Sequence, residues 1–129
     1  MANPIMEAMN STKKYTDVVN LLFNARTNAH ITHLQTRAYP QHMALDSFYS
    51  SIVPIADSFA EASMGYLGTT LTGFDLGKLN TGDILQFLKS QKQELLSLRS
   101  QFKEGDLVQL IDDACKVFNS TIYKLTILK

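Results

Sequence analysis

A single cysteine, Cys115, stands in 129 residues, so no disulfide framework can form within the chain. A reducing compartment is the natural setting, and Cys115 itself is expected as a small core residue. No apolar run approaches the ~18 residues of a membrane span, so no membrane partner is expected. The N-terminus lacks a basic region followed by an apolar block, so no secretory signal is expected either. An excess of charge is also missing. Twelve basic and twelve acidic residues give a formal charge of zero, whereas a dedicated nucleic-acid binder carries a basic surplus or stripe. The expected location is cytoplasmic, or alternatively a virion assembled in a cytoplasm. β-Structure is not supported anywhere along the chain.

What is present is ordinary globular composition, 45% apolar and 19% charged, enough for one domain with one core. Residues 1–11 lack a clear period and read as a loose arm ahead of a bundle over 12–129. Ser11 or Thr12 can cap a first helix, along which Tyr15, Val18, Val19, Leu22, Ala25 and Ala29 recur at helical spacing. Tyr39-Pro40 ends it and opens a second helix, since the residue before proline avoids the α region and proline suits a first turn. That second helix is apolar over most of its circumference, which predicts burial against both its own bundle and a partner. Pro54 removes one backbone bond and should kink it. Gly65 and Gly68 end it.

Residues 68–82 are rich in glycine and threonine and read as a connection, with Leu71, Phe74, Leu76 and Leu79 expected to pin it to the bundle. Thr81 can cap a third helix with a seam of Ile84, Leu88, Gln91, Leu95, Leu98 and Phe102. Asp106 can cap a fourth, with Leu107, Ile111, Ala114, Phe118, Ile122 and Leu125 inward. The fold class is therefore all-α. Short outer turns and a long middle connection describe a ferritin-like four-helix bundle whose middle connection is a crossover.

All three histidines fall between His30 and His42. His33 lies eleven residues after Leu22 and continues the apolar face of the first helix, with His30 at its edge. In the second helix, His42 with Asp46 and Asp57 with Glu61 form two i,i+4 pairs, and such pairs lie one above the other on a helix face. The four share a face, but Asp46 and Asp57 lie roughly 16 Å apart along a straight helix. Two copies can bring the halves together. With a two-fold axis near residues 51 and 52, His42 and Asp46 of one chain meet Asp57 and Glu61 of the other, the isologous contact of a homo-oligomer. Imidazole with carboxylate and no thiolate suits iron, manganese or zinc.

The pattern of His33 with Arg37, then His42-x-x-x-Asp46, an eleven-residue step, and Asp57-x-x-Ala60-Glu61 resembles the Dps family of ferritin-like proteins. Gly105-Asp106 opening the last helix fits too. The resemblance implies a ferroxidase: Fe(II) bound between two-fold-related subunits by His33, His42, Asp46, Asp57 and Glu61, with His30 beside them. It also implies oxidation by peroxide or oxygen and storage as mineral in a twelve-subunit shell. The chain departs from that pattern at Leu34 and Ala62, and without a lysine-rich tail it lacks support for DNA binding. It is similar as well to short ferritin-like proteins of tailed phages. The competing expectations are a non-catalytic structural or assembly protein, for example a virion component that contacts other virion proteins, and a generic helical binding module.

Overall fold

The computed structural model describes the backbone of residues 4–129 and the side chains of residues 12–129. Residues 1–3, and with them the start of the expected loose arm, lie outside the described residues. Four helices account for most of the chain: α1 (Pro4–Gln35), α2 (Tyr39–Leu67), α3 (Ile84–Arg99) and α4 (Gly105–Ile127). No strand occurs among the described residues. The helices pack as a bundle in which α1 lies beside α2 and α3, and α4 beside the same two. The first helix opens at Pro4, ahead of the Ser11 or Thr12 start expected from its caps.

The 3.6-residue pattern of each helix becomes one wall of the core. Tyr15, Val18, Val19, Leu22, Ala25 and Ala29 of α1 are all buried, as are Leu88 and Leu95 of α3 and Leu107, Ile111, Ala114 and Phe118 of α4. Phe48 of α2 meets Phe118 edge-on with ring centroids 5.0 Å apart, and Phe59 meets Phe102 at 5.5 Å. Removing one such fully buried ring costs about 3–5 kcal/mol. Cys115 is buried, as expected, and that burial pushes its thiol pKa up.

Helix ends follow local chemistry, with two corrections to the expected caps. Gly68 takes the left-handed conformation (φ 67°) that closes α2, and its N–H donates to the carbonyl of Met64 at 2.8 Å. Asp83, not Thr81, caps α3, accepting from the Leu85 N–H at 3.2 Å. Glu104 precedes α4, and Asp106 sits inside the first turn, where its carboxylate accepts from the Tyr66 hydroxyl at 2.7 Å. The helix α2 continues through Pro54, which stands on its exposed side.

Residues 68–83 form a strap along α1, and the strap is held differently from the expectation. Of the four apolar residues expected to pin it, only Leu71 is buried; Phe74, Leu76 and Leu79 are 55%, 47% and 57% exposed. A polar ladder on α1 grips it instead. Thr16, Asn20, Asn24 and Asn28 are spaced four apart, so they line one face. Thr16 donates to the Thr72 carbonyl at 2.9 Å. Asn20 donates to the Gly73 carbonyl at 3.3 Å and accepts from the Asp75 N–H at 2.9 Å. Asn24 donates to the carbonyls of Leu76 and Lys78. Asn28 accepts from the Asn80 N–H at 2.7 Å. Gly73 and Gly77, with φ of 80° and 74°, turn the strap so that its backbone groups meet these amides.

Candidate functional site

The short turn between α1 and α2 brings the histidines together. Thr36 in that turn accepts from the Ala38 N–H at 3.1 Å and donates to the Gln41 side chain, which sets the angle at which α2 leaves. His33 then faces His42. The His33 Nδ1–H donates to the His42 carbonyl at 2.7 Å, and the His42 Nδ1–H donates to the His33 carbonyl at 2.8 Å. A carbonyl oxygen only accepts, so each Nδ1 must carry the hydrogen. The two rings stack with centroids 3.7 Å apart and planes 19° from parallel. This reciprocal clasp joins the end of α1 to the start of α2.

His30 and Asp46 complete the cluster through a residue that sequence reasoning missed, Tyr49. Its ring stacks on His30 at 4.0 Å and meets His33 edge-on at 5.3 Å. Its hydroxyl donates to Asp46 Oδ1 at 2.7 Å. That hydrogen bond raises the tyrosine pKa, and desolvation and the carboxylate charge add to it. The signal was present in the sequence as Asp46-x-x-Tyr49, an i,i+3 pair on one helix face.

Asp57 and Glu61 lie elsewhere. Both are exposed on the outer face of α2, and Asp57 is eleven residues beyond Asp46, roughly 16 Å along the helix. Within one chain the six candidate residues therefore separate into a hairpin cluster of His30, His33, His42 and Asp46 and a distant carboxylate pair. No three His, Cys, Asp or Glu side chains among the described residues come close enough to hold a metal. The stacking explains why the imidazoles do not form one. A metal must lie near the plane of each imidazole that binds it, at about 2.1 Å from the nitrogen. Two nearly parallel rings in face-to-face contact direct their remaining Nε2 lone pairs into separate planes. The donor set of a single chain thus does not fit an iron centre.

The outer face of α2 carries small and polar residues throughout: Ser47, Ser50, Ser51, Pro54, Asp57, Ser58, Glu61 and Gly65 are exposed. Beside it, between α2 and α4, runs a groove of about 490 Å³ with Ser47, Ser51 and Ile55 on one wall and Lys116, Val117 and Lys124 on the other. Neither lysine has an acidic partner among the described residues, whose salt bridges are Lys13 with Asp17 and Arg99 with Asp112. The Arg99–Asp112 pair is bidentate, at 2.7 and 3.1 Å, and ties α3 to α4. The guanidinium hydrogen bonds hold the Asp112 carboxyl below its ordinary pKa. Sequence reasoning singled out neither Lys116 nor Lys124, since isolated lysines on a helix carry no motif.

Fold and site together define an all-α four-helix bundle whose imidazoles clasp a helical hairpin and whose second helix keeps a small-residue face outward. The chain belongs to a family of unknown function (DUF5856), whose model matches residues 33–125. It is similar to an uncharacterized 14.6 kDa protein from the mobD-ri intergenic region of Enterobacteria phage T4, with 27% identity over 116 residues, 88% of this chain and 89% of that protein. No solved structure matches it. The family match overturns the assignment to the Dps family, since it takes in His33, His42, Asp46, Asp57 and Glu61, the residues on which that resemblance rested. No helix among the described residues is long and apolar enough to cross a membrane.

Proposed function

We propose that this chain is a non-catalytic helical assembly protein that works by packing α2 against another subunit. The observation that carries this reading is the division of labour along α2. Its one imidazole, His42, and its Asp46 are engaged inside the hairpin, by the His33–His42 clasp and the Tyr49 hydroxyl, while a face of small residues with the carboxylates of Asp57 and Glu61 stays outward. In this reading the half-buried polar contacts fix the register of α1 against α2, a use of buried polarity known in some helical assemblies. The bundle supports a ferritin-like crossover. Tyr15 near the start of α1 meets Phe102 beyond the end of α3, and Tyr66 at the end of α2 meets Asp106 at the start of α4. The strap climbs α1 from Thr16 to Asn28. In that arrangement α2 and α3 run in the same sense. The phage source of the similar protein supports a virion, or its assembly, as the setting.

Native mass spectrometry of the full chain, without and with added Fe(II), tests this. A homo-oligomer whose mass is unchanged by Fe(II) is the expected result. A monomer at all concentrations, or stoichiometric iron uptake followed by oxidation, would overturn it.

A further inference from the structure

We infer that the groove between α2 and α4 is the seat of α2 from a second copy of this chain, crossing antiparallel with its two-fold axis at Pro54. The inference rests on the assembly reading above and adds the surface, the occupant and the register.

The exposed positions of α2 select the axis. About Pro54, the exposed positions of the outer face between Met43 and Gly65 meet one another: Ser51 opposite Asp57, Ser50 opposite Ser58, Ser47 opposite Glu61, and Met43 opposite Gly65. An axis at residues 51 and 52 would instead set exposed Ser47 and Ser58 opposite Ala56 and Leu45, both of which are buried in the bundle. The Pro54 register also pairs chemistry. The hydroxyls of Ser51 and Ser47, as donors, meet the carboxylates of Asp57 and Glu61, which only accept, and Ser50 meets Ser58, each able to donate and accept.

The groove supplies the cations. Phe48 against Phe118 and Tyr66 against Asp106 set α2 antiparallel to α4. Ser47 and Ser51 therefore share the groove with Thr121, Lys124 and Lys116. The second copy's Glu61, arriving opposite Ser47, reaches the level of Lys124 and Thr121. Its Asp57, arriving opposite Ser51, reaches the level of Lys116. Four charges that lack ion-pair partners among the described residues of one chain become two ion pairs, and the two-fold repeats them.

Thr121 is the independent sign that something is seated here. The residue is 2% exposed and lines the groove. Its hydroxyl makes no hydrogen bond among the described residues, yet it is not among the sealed, unpartnered atoms. It therefore opens into the groove at the level where Glu61 of the second copy arrives. Asp113, the groove's own carboxylate, sits at the Ile55 end and accepts from Gln109, and there the second copy presents Pro54 and Ser50 rather than another acid. From Met43 to Gly65 the face is about 33 Å long at 1.5 Å per residue. Two helices wide, it covers roughly 650 Å² per partner, close to the ~800 Å² of a standard interface.

Sedimentation equilibrium of the full chain tests the pairing. Glu61→Lys and Lys124→Glu, each alone, should raise the dimer dissociation constant about tenfold or more, because each puts like charges together twice. The double variant should return to within about threefold of wild type. In a Cys115→Ala background, Pro54→Cys should be joined into a covalent dimer by a short bismaleimide, since residue 54 faces itself. A wild-type oligomer that ignores both charge reversals and does not cross-link at residue 54 would overturn this seat and register while leaving self-assembly standing. A wild-type monomer would overturn both.

Discussion

Asn28→Ala is the sharpest probe of how the strap is held. Asn28 is 3% exposed; its Oδ1 accepts from Asn80 N–H at 2.7 Å, and its Nδ2 donates to the Asn24 carbonyl at 2.8 Å. Each bond contributes about 1 kcal/mol net, and the Asn80 N–H left without an acceptor costs about 1 kcal/mol more. Alanine's better helix propensity returns roughly 0.6 kcal/mol. The balance is a loss of about 2 kcal/mol. At ~2.1 cal/mol/K per residue the melting entropy of a chain this size is about 0.27 kcal/mol/K, so the midpoint should fall by about 7 °C. Asn20→Ala should cost less, about 1 kcal/mol, because water reaches its exposed rung and replaces part of what is lost. Hydrogen exchange locates the damage. In Asn28→Ala the amides of Asp75 and Asn80 should lose protection while those in the middle of α2 and α4 keep theirs. If both variants melt within about 2 °C of wild type and the strap amides stay protected, the ladder does not hold the strap and Leu71 alone must.

Three further outcomes follow from other contacts. A double-mutant cycle of His33→Ala and His42→Ala, measured by urea unfolding, should give a coupling of about 1 kcal/mol, because either change removes the ring stack that both share while the other ring keeps its bond to a backbone carbonyl; additive costs would mean that the rings stack without cooperating. The Asp112 carboxyl is held below its ordinary pKa by Arg99, so the stability it adds is present above the unfolded-state value near pH 4 and is lost as pH falls through its lower folded value. Asp112→Asn should therefore flatten the acid limb of the stability profile, and an unchanged limb would assign it to other carboxylates such as Glu104, which backbone N–H groups also hold low. Pro54→Ala restores a donor to the Ser50 carbonyl at an exposed position and should raise monomer stability by about 1–2 kcal/mol in a thermal melt at low protein concentration; no gain would mean the helix has already absorbed the missing bond.

Much of the bundle was legible because helical periodicity reports burial directly. The α1 seam from Tyr15 to Ala29 continues to His33, 8% exposed, as the eleven-residue step from Leu22 implies. The candidate site was only half legible. Four-residue spacing put His42 and Asp46 on one face correctly, but spacing does not say that His33 will lie flat on His42 or that Tyr49 will take the Asp46 carboxylate. Those outcomes depend on the angle of the α1–α2 turn. The Asn ladder was missed for a related reason. Asn20, Asn24 and Asn28 look like a solvated stripe until a strap lies over them, and Phe74, Leu76 and Leu79 look like anchors until the amides take that role. Caps erred by two residues: Thr81 and Asp83 offer near-equal capping chemistry and the turn chooses Asp83, while α4 opens after Glu104 with no side-chain cap, so Asp106 falls inside its first turn.

A strap gripped through its carbonyls and N–H groups is gripped without regard to spelling. The amides of α1 take hold of Gly73, Leu76, Lys78 and Asn80 by backbone atoms that nearly every amino acid shares. Only the left-handed glycines, Gly68, Gly73 and Gly77, are held to their identity by the backbone itself. The outward positions 74, 76 and 79 can thus be rewritten while the bundle beneath stays as it is, so the strap is an address panel whose lettering can change without disturbing the wall it hangs on.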